Sequence, residues 1–348
     1  MARLFTPLQI RGLTLRNRIV LSPMCMYSAD TDGHACDWHL VHLGARATGG
    51  CGLVITEAAS VEPRGRISIN DLGLWNDDQI APLAKIVQFC HEQGASVGVQ
   101  LAHAGRKAFS PQKGEGPQAG VAPSAIPFTE GWKTPLELTV EAIDALVESW
   151  RGAARRAIEA GFDLIEIHHA HGYLLHSFFS PIANHREDTY GGSFDNRARL
   201  TLRVARAIRE VWPAERPLFL RVSASDWDAQ GITPADFSRL APALIEAGVD
   251  LIDCSSGGII PAPPPAEMVG PGYQVPFASE IRRDGRIPTM AVGFITGPGQ
   301  AEAILAGGHA DLVALGRELL RDPHWPLRAA RALGVDIEWP RQYLRGKP

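Results

Sequence analysis

The stretch Phe162–Pro181, FDLIEIHHAHGYLLHSFFSP, decides the fold. Ile165 and Ile167 alternate with Glu166 and His168. That period of two is the signature of a strand, whose successive side chains point to opposite faces. One face is aliphatic and suited to a covering helix; the other carries a carboxylate and then an imidazole. A strand that delivers polar groups at its C-terminal end is what a (β/α)8 barrel uses to furnish its mouth. The strand then gives way to a loop crowded with imidazoles, with His171 and Tyr173 following His168.

Working outward, Thr139 caps a helix with Ile143, Leu146, Val147, Trp150, Ala154 and Ala157 on one face, and Gly161 stops it. Before it, Ala95–His103 reads as a strand, with Val97, Val99 and Leu101 opposite Ser96, Gly98 and Gln100. The segment Lys107–Pro135 between them is rich in Gly, Pro and Ser and has no period. It is too long for a routine connection. Nearer the start, Arg18–Pro23 and Gly52–Glu57 are strands around a helix at Asp37–Gly50. Asn76 and Gln79 form a capping box ahead of a helix that Gly94 closes. Leu8 and Ile10, then Leu13 and Leu15, predict a small hairpin around Arg11–Gly12.

Downstream, Asp195–Trp212 is helical, and Leu218–Ser223, Val249–Ser255, Pro288–Phe294 and Asp311–Gly316 are strands. Thr233–Pro234 opens a helix that Gly248 ends, and further helices fit Pro276–Asp284, Pro298–Ala306 and Glu318–Leu333. Strands alternating with helices imply parallel pairing. The count of eight strands predicts an α/β fold, a (β/α)8 TIM barrel forming one domain over residues 1–348. It carries an N-terminal β-hairpin and a long loop after strand 3. A doubly wound open sheet would want a glycine-rich fingerprint after its first strand, and the residues there read SPMCMYS.

The composition is that of an ordinary globular chain, 45% hydrophobic and 21% charged. The net charge of −4 gives no basic footprint for nucleic acid or an anionic membrane. Five cysteines without a CxxC pair argue against a disulfide framework, a zinc site and a clustered iron–sulfur site. Free thiols fit a reducing cytoplasm. The sequence has no signal-peptide pattern and no apolar run long enough to span a bilayer.

In such a barrel the C-terminal strand ends carry the chemistry. They present Ser22, Pro23, Met24, Cys25 and Tyr27; Glu57, Ala58 and Ala59; Gln100, His103 and Arg106; His168, His171 and Tyr173; Arg221; Gly293; and Gly316 with Arg317. Glycines after strands seven and eight favour a phosphate site over mere tight packing. An inward Arg221 needs an anionic or strongly accepting partner; an internal salt bridge, with Glu166 for example, meets that need as well as a ligand does. Gln100 either satisfies a neighbour or reads a heterocycle's edge. His168 and His171 have a spacing that suits metal ligation, but no pair of carboxylates nearby completes a set. Two neutral donors flanking a substrate oxygen suit them equally. Cys25 is either a small buried hydrophobe or a working thiol.

Together these ends resemble the Old Yellow Enzyme flavoproteins over essentially the whole chain. The resemblance rests on LRNRIVLSPMCMYS (Leu15–Ser28), TEAASV (Thr56–Val61), QLAHAGRK (Gln100–Lys107), HHAHGYLLHSFFSPIANHREDTYGGSFDNR (His168–Arg197), LRVSASDW (Leu220–Trp227), AVGFI and ALGREL. Cys25 in place of a threonine, with a histidine pair, is similar to the thermophilic-like branch of YqjM-type and xenobiotic-reductase-type enzymes.

The resemblance implies non-covalent FMN, with Ser22, Pro23, Met24, Cys25, Ala59, Gln100 and Arg221 along the isoalloxazine and ribityl chain. Gly293, Gly316 and Arg317 would hold the phosphate. It implies an NADPH dehydrogenase acting as an ene-reductase: NADPH, or NADH less well, reduces the flavin, and an activated alkene follows in ping-pong order. His168 and His171, helped by Tyr27, would bind the substrate oxygen, Tyr173 would protonate the α-carbon, and Cys25 would tune the flavin. The C-terminal RQYLRGKP matches the branch's tail, so Arg345 is expected to reach a neighbouring subunit's site in a homodimer or homotetramer. Gly346 follows as in the branch, but Lys347 stands where the branch has an aromatic.

Overall fold

The structure is a computed structural model that describes residues 2–109 and 120–348. Strands β1 (Leu8–Ile10) and β2 (Leu13–Leu15) form an antiparallel hairpin, pairing Leu8 with Leu15 and Ile10 with Leu13. Then come β3 (Ile19–Leu21), α1 (Asp37–Thr48), β4 (Leu53–Ser60), α2 (Ile80–Glu92) and β5 (Ser96–Ala102). Two short strands, β6 (Val121–Ala122) and β7 (Leu136–Glu137), pair with each other inside the long connection. Next are α3 (Val140–Glu159), β8 (Leu164–His169), α4 (Leu174–Phe179), α5 (Phe194–Arg209), β9 (Leu218–Ser223) and α6 (Pro234–Glu246). The chain finishes with β10 (Leu251–Ser255), α7 (Val275–Gly285), β11 (Thr289–Val292), α8 (Pro298–Ala306), β12 (Leu312–Leu315), α9 (Arg317–Arg321) and α10 (Trp325–Ala332).

Among the described residues eight parallel strands close into a barrel in chain order, β3-β4-β5-β8-β9-β10-β11-β12 and back to β3. The (β/α)8 expectation and the N-terminal hairpin therefore hold. Each strand buries both faces, which is why its runs read as nearly continuous apolar sequence. Outward residues such as Ile165, Ile167, Leu218, Leu220 and Val222 join the helices in one large core. Inward residues Leu53, Ile55, Leu164, Phe219, Leu251, Met290 and Leu312 form a second cluster, with Ile10 and Leu15 of the hairpin packed on it. The hairpin thus covers the N-terminal end of a filled barrel.

Several boundaries differ from the sequence reading, each for a local reason. β4 runs on to Ser60 because its register with β5 shifts between Ile55 and Ala58. Such a bulge inserts a residue and re-aims side chains. The residues after His171, expected as loop, include the short helix α4. The helix expected over Glu318–Leu333 is broken into α9 and α10, since Pro323 forces Asp322 to extended backbone. The Asn76–Gln79 box is present but opens a 3-10 turn ahead of α2. Part of the long loop after the third strand, residues 110–119, lies outside the described residues. No helix among the described residues is long and apolar enough to cross a membrane.

Candidate active site

Above the apolar plug, the barrel interior turns polar in one step. Gln100, Glu166, Arg221 and Asp253 occupy consecutive barrel strands, Gln100 opposite Glu166 and Arg221 opposite Asp253, with Arg221 paired in turn with His168 across β8 and β9. Gln100 Nε2 donates to Glu166 Oε1 at 2.8 Å. Arg221 Nη1 donates to Asp253 Oδ2 at 2.7 Å and to Ser22 Oγ at 2.9 Å. The internal salt bridge that the sequence allowed with Glu166 is made instead to Asp253, a residue the strand-end reading missed. Strand alternation along Leu251–Ser255 places Asp253 on the inward face, but only the pairing of β9 with β10 brings it to Arg221. Burial pushes the carboxyls of both Glu166 and Asp253 upward, and Arg221 opposes the shift in each. Among the described residues Arg221 Nε, Glu166 Oε2 and Asp253 Oδ1 are buried with no hydrogen-bond partner. Buried polar atoms of this kind call for a ligand or water.

Further along β8, and in the loop after it, stand His168, His171 and Tyr173. The rings meet edge to face, His168 lying 5.1 Å from His171 and 5.0 Å from Tyr173 between centroids. His168 Nδ1 accepts the Ala170 N–H at 3.2 Å, so the neutral ring carries its hydrogen on Nε2 and can donate it. His171 Nε2 pairs with Ser255 Oγ at 2.8 Å. Burial first, then neighbouring cationic groups, hold both imidazoles well below their ordinary pKa, so both are neutral at working pH. Burial holds the Tyr173 phenol well above its ordinary value and therefore protonated.

The loop that carries His171 and Tyr173 is fixed from below. His171 adopts a positive φ of 60° and its N–H donates to Ser223 Oγ at 2.9 Å. The Gly172 N–H donates to His176 Nδ1 at 2.8 Å, and His176 Nε2 lies 2.8 Å from Asp226 Oδ1. Lys107 Nζ donates to the carbonyls of His171 and Gly258, at 2.8 and 3.1 Å. Burial and Arg106 bring its ammonium down to about 8. Lys107, His176 and Asp226 were not singled out from the sequence; only contacts across strands reveal them.

At β3, Ser22 is buried while Pro23, Met24, Cys25 and Tyr27 are partly exposed. Tyr27 has a positive φ of 52°, and its phenol is raised by burial and by the adjacent Cys25. Ala59 is buried on β4. After β11 and β12, Gly293, Phe294, Thr296, Gly316, Arg317 and Arg321 line a cavity of about 90 Å³. Gly293 has φ +118°, which favours glycine, and a Cβ on Gly316 would face Met24 Sδ at 3.5 Å. The site residues named from the sequence thus gather at one end of the barrel, with one exception. Arg345 is exposed on the terminal 3-10 segment Arg341–Gly346. Residues just before it, Trp339–Gln342, line a cavity with Arg16, Gly50 and Gly94, at the opposite end of the barrel from the mouth.

The donor set fits FMN: a buried guanidinium with an unsatisfied Nε, an inward amide, and glycine strand ends with Arg317 where an anion would sit. Comparison with known proteins agrees with this. Residues 3–335 match the model of the NADH:flavin oxidoreductase / NADH oxidase family. An NADPH dehydrogenase of Geobacillus thermodenitrificans is 54% identical over 344 residues, covering 99% of this chain and 98% of the relative. Among solved structures, morphinone reductase superposes with a TM-score of 0.80 at 30% identity, over 97% of this chain and 91% of its own. A 2-naphthoyl-CoA reductase superposes with a TM-score of 0.89 at 25% identity; the chain spans 96% of itself but 52% of that longer protein.

Proposed function

The chain belongs to the NADH:flavin oxidoreductase / NADH oxidase family, that of the Old Yellow Enzyme flavoproteins, and from that premise we propose that it is an FMN-dependent NADPH dehydrogenase reducing alkenes conjugated to an electron-withdrawing group. Unsaturated aldehydes, ketones, imides and nitroalkenes are its substrate class. The observation that carries the reading is the cluster His168, His171 and Tyr173, two neutral donors beside one protonated phenol, with the buried Arg221 opposite His168 on β9.

Ser22, Pro23, Met24, Cys25, Ala59, Gln100 and Arg221 would hold the cofactor's ring system and ribityl chain, and Gly293, Gly316 and Arg317 its phosphate. When bound, FMN supplies two-electron carriage between the reduced nicotinamide and the alkene. His168 and His171, with Tyr27, donate to the carbonyl or nitro oxygen. That oxygen gains charge as the double bond is reduced, so fixed donors lower the barrier. Tyr173 delivers its phenolic proton to the α-carbon as general acid. Arg221 would set a fixed positive charge at the bound cofactor, and Cys25 would tune it. NADPH and alkene use the same clamp in turn, a ping-pong order.

The decisive test is spectroscopic. The purified protein should be yellow, bleach with NADPH and regain its colour with cyclohexenone. A colourless protein that takes up no added FMN would sink the reading. We further propose a homo-oligomer in which Arg345 completes a neighbour's site, supported by its exposed position away from its own mouth. Arg345→Ala should then raise KM for the alkene several-fold at unchanged flavin content, with the oligomer present by light scattering; unchanged kinetics would remove Arg345 from the site.

A further inference from the structure

At the first turn of α1, outside the cluster just described, three side chains stand in line. Cys36 occupies the cap position with its Sγ 3.5 Å from His39 Nδ1. His39 Nε2 lies 3.0 Å from Glu57 Oε1. The ring's tautomer follows from its neighbours. The Cys36 backbone N–H can only donate, and it sits 3.0 Å from Nδ1. Nδ1 therefore presents its lone pair and Nε2–H points at the carboxylate. Glu57, set by the β4 bulge, is held at its other oxygen by the Met26 N–H at 2.9 Å. His39 and Glu57 are buried, while Cys36 is exposed. The imidazole separates the other two, so the three do not converge on a metal; among the described residues no such grouping of three or more is found. The thiol hydrogen has two acceptors in reach, since Ser28 O is 3.2 Å from Sγ.

A nucleophile beside a base that is itself oriented by a third group is the arrangement of nucleophilic catalysis. We propose that Cys36 is a second reactive centre, a nucleophile that adds to electron-poor alkenes, with His39 as its general base and Glu57 orienting that base. As the S–C bond forms at the β-carbon, the thiol proton passes to His39 Nδ1. The π pair moves to the conjugated oxygen, and the proton then returns to the α-carbon. Thiol and alkene become a thioether, and no oxidant or reductant is consumed. Taking the proton gives up one capping bond from the Cys36 N–H. It turns the bond to the Glu57 carboxylate, already charge-assisted, into one between two opposite charges. This chemistry needs neither FMN nor Tyr173, so its failure and that of the proposed reduction are separable.

The test uses the holoprotein at neutral pH without NADPH, treated with less than one equivalent of N-ethylmaleimide and followed by peptide mass mapping over time. Cys36 should acquire the adduct before Cys25, on the order of 10²-fold faster than a cysteine in an unstructured peptide, the low end of what a positioned base contributes. His39→Gln should bring the rate down to the peptide's. Glutamine three residues after a cap accepts the cap N–H, so this variant keeps the helix start while losing the base. Glu57→Gln, which keeps the hydrogen-bond geometry without the charge, should slow the addition as well and serves if His39→Gln folds poorly. First labelling at Cys25, or a Cys36 rate in His39→Gln within about twofold of the parent, would overturn the proposal.

Discussion

The phenol of Tyr173 is the residue on which the proposed chemistry turns. Buried and protonated beside His168, it should be the proton source for the alkene. Tyr173→Phe is expected to slow alkene reduction about 10²–10⁴-fold, the range of a general acid, and to leave flavin reduction by NADPH near its original rate. Stopped-flow measurement of the two half-reactions separates these. The histidines lead to a second expectation, about pH. Both are neutral above and below the ordinary histidine range, because burial disfavours their charged forms. kcat/KM for the alkene should therefore run flat through pH 6.5. Lys107, brought down to about 8 by burial and by Arg106, loses its charge above that pH. The profile should fall there, and Lys107→Met should remove the limb; a limb that persists belongs to another group. The sequence showed the inward positions of Gln100, His168 and Arg221, since strand alternation sets facing. It did not show their partners. Asp253 meets Arg221 only through the register of β9 with β10, and register is a property of the closed sheet.

Elements bring the site together through close backbone contact. The loop after β8 and the loop after β10 touch at Gly172 and Gly258, where a Cβ on Gly172 would lie 2.0 Å from Gly258 O. Gly172 also has φ +74°, a conformation that costs other residues roughly 1–2 kcal/mol. Gly172→Ala should thus lose at least about 2 kcal/mol in denaturant unfolding. It should also lower kcat, because His171 and Tyr173 flank the displaced peptide. Strand and helix order were legible because each element carries its own period and its own stop. The bulge in β4, the helix α4 and the break at Pro323 were not, or only in part. A bulge depends on the neighbouring strand, and α4 is a six-residue helix whose residues are all buried, so it shows no amphipathic period.

At the scale of the whole molecule, the barrel divides into an apolar base and a polar mouth. Phe219 lies fully buried in the base, directly below Arg221 on the same face of β9. Phe219→Ala should cost about 3–5 kcal/mol of stability, as large-to-small core changes do. The spectrum of bound flavin should change little, because the polar layer is held by its own strands. Urea unfolding followed by far-UV circular dichroism and by flavin absorbance would measure both. This division is legible in β8, β9 and β10, whose inward residues pass from Leu164 to Glu166 and His168, from Phe219 to Arg221 and from Leu251 to Asp253.

The plugged base also governs traffic. With Leu53, Leu164, Phe219, Leu251 and Met290 filling the barrel and the hairpin laid over its floor, the described residues leave no back door. Under the proposed function, electron donor, electron acceptor and every exchanged proton would share a single threshold. Guests of that size would then have to queue, and the order of the proposed turnover would be written into the architecture before any chemistry begins.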